Sequence, residues 1–138
     1  MQIGYADNNL GLAAALVAIE NGFGIIDYAS PFTLRSYAKP GMPTSTALSG
    51  YWQPSEDGWI PSFSIGWGWN STRYRKGVDQ RGLVAISQSW MVAVQWKDLF
   101  DADAAMGAAI GQPIFVTALI GGKSPDDAGY VMEWWTMV

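Results

Sequence analysis

The chain has 138 residues, enough for one domain with a core of its own. Eight basic residues against twelve acidic ones leave a net charge of −4, with no excess of positive charge to meet nucleic-acid phosphates. The absence of His and Cys excludes thiol nucleophiles, disulfides, zinc sites of the usual kind and imidazole bases.

Residues 1–6, MQIGYA, read as a strand, and no basic segment precedes an apolar one there, so no signal peptide is expected. Asp7-Asn8-Asn9 is a turn signal. Residues 10–20 are ambiguous. NNLGLAAALVAIENG has an Asn cap, good helix formers and a Gly stop, whereas Leu10, Leu12 and Leu16 alternate with small residues as in a strand. The strand reading is adopted. No apolar run in the chain reaches the roughly 18 to 20 residues of a membrane-spanning helix. A long irregular stretch, 21–43, follows. Its Phe23, Tyr28, Phe32 and Tyr37 suit either a sugar-stacking track or the packing of a long loop.

A strand is expected over 44–52, then a turn in Gln53-Pro54-Ser55-Glu56-Asp57-Gly58. The next strand, 59–70, has the clearest pattern. Trp59, Pro61, Phe63, Ile65, Trp67 and Trp69 fall on one parity, and Ile60, Ser62, Ser64, Gly66, Gly68 and Asn70 on the other. The loop 71–81 (STRYRKGVDQR) carries Arg73, Arg75, Lys76 and Arg81 against one acid, Asp79. In NST, the glycosylation pattern at Asn70 is read as a chance match. Strand 82–96 repeats the alternation. Val84, Ile86, Trp90, Val92, Val94 and Trp96 share one parity, broken by Gln88, while Ala85, Ser87, Ser89, Ala93 and Gln95 share the other with Met91. A turn over 98–103 holds Asp101 and Asp103, too few carboxylates for a Ca²⁺ site. Strand 104–119 is again ambiguous at its start, where 101–111 has helical composition but Met106, Ile110 and Ile114 alternate with small residues. Loop 120–128 and a last strand, 129–138, complete the chain.

Seven strands with connections alternating short and long predict an all-β, antiparallel up-and-down barrel of the transmembrane kind. A soluble sandwich would put its bulky face inward and charges on the exposed face. Here the second face carries Ser, Gly, Ala, Asn and Gln with almost no charge. A membrane barrel accounts for this: bulky residues meet lipid and small polar ones line water. The chain is 14% aromatic and only 14% charged, against a usual charged share of about a quarter. Tyr51, Trp52, Trp59 and Trp96 are expected beside the short turns, and Trp67 and Trp69 at the other end, as girdles at the two membrane boundaries.

The segments FVTALIGGKSPDDAGYVMEWW, AAMGAAIGQP and WMVAVQWKDLF resemble the carbohydrate-selective porin (OprB) family, most closely its cyanobacterial members, also described as iron-uptake porins. The most specific parts are Gly111 to Thr117 and the PDD at Pro125 to Asp127. The resemblance implies an outer-membrane barrel of about sixteen strands, usually a homotrimer, passing small hydrophilic solutes such as carbohydrates or inorganic ions. It places residues 1–138 as one partial barrel domain from the later part of such a protein, without a signal peptide or S-layer-homology region.

The expected site is therefore a pore wall, with no catalytic group, metal or cofactor and no nucleic-acid partner. Pore-lining or mouth candidates are Ser62, Ser64, Ser87, Ser89, Glu133, Arg73, Arg75, Lys76 and Arg81. Lipid-facing or girdle candidates are Trp59, Phe63, Ile65, Trp67, Trp69, Trp90 and Trp96. The alternative is a soluble β-rich carbohydrate-binding module using exposed Trp residues.

Overall fold

A computed structural model describes residues 1–18, 35–36, 38–56, 59–98, 104–122 and 129–137. It holds seven strands: β1 (Gln2–Ala6), β2 (Leu10–Ala18), β3 (Gly41–Trp52), β4 (Ser62–Tyr74), β5 (Val84–Lys97), β6 (Ala105–Leu119) and β7 (Val131–Met137). Each pairs antiparallel with its sequence neighbours in one sheet of order β1 to β7. Both ambiguous segments are strands where they are described. Leu10 to Ala18 pair with Trp52 to Thr44, so the ladder overrides the helical propensity of the alanines. Among the described residues no helix is long and apolar enough to cross a membrane, which says nothing of strands.

The strand limits differ from expectation where proline and pairing decide them. The strand expected from residue 59 begins at Ser62 and runs to Tyr74. Pro61 has no N–H to give a ladder, so Trp59 and Ile60 stay in the preceding turn. At the other end, Thr72, Arg73 and Tyr74 pair with Pro43, Met42 and Gly41, drawing both strands past their expected ends. Connection lengths consequently alternate less strictly than expected. Residues 53–61 and 75–83 give connections of equal length, while 7–9 and 19–40 remain the shortest and longest.

Register carries one side-chain parity across all the strands. Leu10, Trp52, Phe63, Val94, Ala108 and Trp134 form one row of partners; Tyr5, Leu12, Gly50, Ile65, Val92, Ile110 and Met132 form the next. On the opposite face, Gly11, Tyr51, Ser64, Ala93, Ala109 and Glu133 are partners in one row, and Ala13, Ser49, Gly66, Met91, Gly111 and Val131 in another. The bulky face and the small-residue face are thus properties of the sheet, not of single strands. Three register shifts between β5 and β6 interrupt this, at Val84/Ile86, Ile86/Ser87 and Gln88/Trp90. Gln88 pairs with Phe115 and Trp90 with Gln112, so β6 holds an extra residue at Pro113-Ile114. Ile114 therefore does not continue the parity of Met106 and Ile110.

The described residues form little conventional core. Among their hydrophobic members, Leu83, Val84 and Val116 are the buried ones, gathered where the 75–83 connection meets the end of β6. Beyond Ile86 the β4 ladder ends, and Val84 finds other partners: its N–H donates to Ser36 Oγ at 2.8 Å and its carbonyl accepts from Tyr74 OH at 2.8 Å. Ser36 thereby docks the segment before β3 onto this end of the sheet. Gly82 N–H donates to Ile120 O and Ile120 N–H to Leu83 O, both at 2.9 Å, joining two further connections there. At the opposite end, Asn9 Nδ2 donates to Gln53 O at 2.8 Å and Gln53 Nε2 donates to Asn8 O at 2.7 Å, stapling two turns.

Candidate functional site

The small-residue face is the hollowed, concave one, and three of the hollows formed by the described residues open on it. The first, about 410 Å³, is lined by Tyr51, Ser62, Ser64, Gln95 and Lys97 with the 53–55 turn. A second, about 670 Å³, spans β3 to β7 and includes Ser49, Gly68, Ser89, Ala109 and Glu133. The third, about 510 Å³, spans β1 to β5 over Gly4, Ala13, Ser49 and Gly66. The shape follows from side-chain size: alanine, serine and glycine leave room on one side, while Leu, Ile and Trp fill the other. Large rings on the concave side are seated on glycines, Tyr51 over Gly11 and Trp135 over Gly107, where any Cβ would collide with the ring.

Ser62, Ser64 and Ser89 lie on this face. Ser62 Oγ donates to Gln95 O at 3.1 Å, which keeps the wall hydroxylated without leaving a strong acceptor unmet. Ser87 shares the parity but is buried, and its Oγ accepts from Asn70 Nδ2 at 3.3 Å. It is covered on that face instead of lining these hollows, and the same bond holds the NST asparagine within a strand. Glu133 projects from the small-residue face opposite Ala109 and is exposed there.

Sequence reasoning missed Lys97. It continues the parity of Gln95 onto the concave face, opposite Ala105, because β5 runs one residue past its expected end. Glu133 and Lys97 are the two charged residues that the described strands place on this face.

The basic cluster is divided. Arg75, Lys76 and Arg81 lie exposed in the 75–83 connection, where Arg81 N–H donates to Asp79 Oδ1 at 3.3 Å. Arg73 is inside β4 and, opposite Met42, belongs to the bulky face rather than to the wall of Ser64. The four residues therefore do not form one mouth.

On the bulky face, Phe63, Ile65 and Trp67 are 46%, 60% and 41% exposed, large apolar groups that no part of the described chain covers. Trp69, Trp90 and Trp96 share that face. Trp59 does not: it sits in the turn before β4, with its carbonyl accepting from Trp96 Nε1 at 3.1 Å. Trp67 and Trp90 are mid-strand neighbours rather than end markers, and each indole has a glutamine acceptor: Gln88 Oε1 at 3.4 Å and Gln112 Oε1 at 3.1 Å. Paired this way, two polar amides sit on an apolar face at reduced desolvation cost.

Among the described residues no three His, Cys, Asp or Glu are grouped to hold a metal. Asp101, Asp103, Phe23, Tyr28, Phe32 and Tyr37 lie outside the described residues. No family model, no curated protein and no solved structure matches this chain.

Proposed function

We propose that this chain forms part of the wall of a water-filled outer-membrane pore, through which small hydrophilic solutes diffuse passively. One observation carries the reading. Register joins the bulky parities of all seven strands into a single face that no described residue covers and that, among the described residues, is uncharged apart from Arg73, while the concave face is small and mildly polar. In water the first face would expose contiguous Trp, Phe, Ile and Leu side chains; in hydrocarbon the same groups gain about 25 cal/mol for each Å² removed from water. The resemblance to carbohydrate-selective porins points the same way.

Seven alternating strands leave β1 and β7 running parallel, each with its outer edge outside the ladder. An antiparallel cylinder needs an even number of strands, and an open edge in lipid leaves backbone groups unsatisfied. The pore is accordingly completed by further strands at both edges, with a trimer of such barrels as the assembly the resemblance implies. Solutes would be sorted by width and by fixed charge, with Glu133 within the wall and Lys97 at its short-turn rim. Sugars and inorganic ions are the solute classes such a wall admits.

Phe63 and Ser64 provide the test, because neighbouring positions in β4 face opposite ways and the chain has no native cysteine. In vesicles, Ser64→Cys should react quickly with a water-soluble thiol reagent and Phe63→Cys slowly. Equal or faster reaction at 63 would reject the pore wall. A chain that stays soluble without detergent and is retained on polysaccharide would instead be a carbohydrate-binding module.

A further inference from the structure

Arg73 parts company with the basic segment it belongs to in sequence. Its neighbours Arg75 and Lys76 lie in a connection, but Arg73 is paired in β4 and shares a face with Phe63, Ile65, Trp67 and Trp69. It is the one charged residue that the described strands place on the bulky face, it is exposed, and its guanidinium has no hydrogen-bond or ion-pair partner among the described residues.

Its height is informative. Arg73 lies ten residues beyond Phe63 on the same strand. At about 3.3 Å per residue and a tilt of 35–45°, that separation is about 25 Å along the membrane normal, the height of the apolar band of an outer-membrane barrel. Phe63 and Trp52, with ring centroids 6.1 Å apart, mark one boundary. At the other end the face turns polar: Ser71 opposite Thr44, then Arg73 opposite Met42, with Trp69 four residues below. A long stem ending in a planar five-donor fork suits this level, because the methylenes rest on apolar surface while the guanidinium meets phosphate oxygens two at a time.

We propose that Arg73 is a lipid-headgroup site, binding the phosphate of an anionic lipid at the membrane boundary above Trp69. The assignment rests on the membrane reading given above. The occupant is a lipid rather than a free anion because the face brings one cation and rows of apolar side chains, which suit an acyl chain beneath a phosphate.

The experiment compares binding of the full chain to phosphatidylcholine vesicles and to vesicles containing phosphatidylglycerol, followed by tryptophan emission. Wild-type protein should prefer the anionic vesicles. Arg73→Gln should weaken that preference about five-fold, the effect of one cation at an anionic surface. Arg73→Lys should keep most of it. Lys97→Gln removes the same charge from the concave face and should leave the preference unchanged. Circular dichroism checks that each variant keeps its strands, which is expected for an exposed residue at a strand end. An unchanged preference in Arg73→Gln, or equal losses in Arg73→Gln and Lys97→Gln, overturns the assignment while leaving the membrane reading intact. Failure of every protein to bind the neutral vesicles overturns the membrane reading and this site with it. Displacement by inorganic phosphate at constant ionic strength overturns the lipid assignment in favour of a free-anion site.

Discussion

Gly66 and Gly111 flank Met91 in one row of the concave face, yet adding a methyl group to each should have different consequences. A Cβ on Gly66 meets Met91 Cγ at 3.1 Å and Sδ at 3.8 Å, both on a flexible side chain that can swing into the adjoining hollow. A Cβ on Gly111 meets Trp90 O at 2.6 Å, Met91 Cβ at 3.1 Å and Met91 Cα at 3.2 Å. Two of those three atoms are backbone, and moving them opens the β5–β6 ladder. Overpacking of this kind costs about 1–3 kcal/mol. Both substitutions also gain about 0.4–1 kcal/mol by restricting the unfolded chain. Gly66→Ala should therefore lie within about 0.5 kcal/mol of wild type, and Gly111→Ala about 1–2 kcal/mol below it. Urea unfolding in detergent micelles, read by tryptophan emission, measures both. Met91→Ala should remove the remaining penalty of Gly66→Ala and leave most of that of Gly111→Ala, a coupling that a double-mutant cycle resolves. If Gly111→Ala is as stable as Gly66→Ala, the close approach of β5 to β6 on this face is wrong.

Asn9→Ala removes bonds of 2.8 Å to Gln53 O and 3.1 Å to Ser55 Oγ, and should lower stability by about 1 kcal/mol in the same assay, since both bonds are exposed. Tyr74→Phe leaves the carbonyl of buried Val84 without its 2.8 Å donor and should cost about 1 kcal/mol, with faster proteolysis between β2 and β3 as the segment held by Ser36 loosens. Unchanged cleavage there would show that Ser36 docks the segment independently of Tyr74.

Much of the sheet was legible from residue order. Alternation in 63–69 and in 84–96 needs no knowledge of neighbours, because a strand sends successive side chains to opposite faces whatever it pairs with. The contrast between a bulky face and a small one, and the sparseness of charge, were readable for the same reason. So was the strand character of residues 10–18, though only weakly, since Leu-Ala segments satisfy either period and pairing with β3 decides between them.

Pairing settled the rest, because it depends on residues far apart in the chain. Arg73 looked like part of a basic loop, and only its partner Met42 shows that it is in β4 and on the bulky face. Trp59 fits the parity of Phe63, but a proline between them ends the ladder and leaves it in a turn. Ile114 fits the parity of Ile110 until an extra residue at the bulge breaks it. Lys97 joined the concave wall through one added pair with Ala105. The size and extent of the hollows were not readable either: they depend on how strands of unequal side-chain volume pack side by side, a property no single strand possesses.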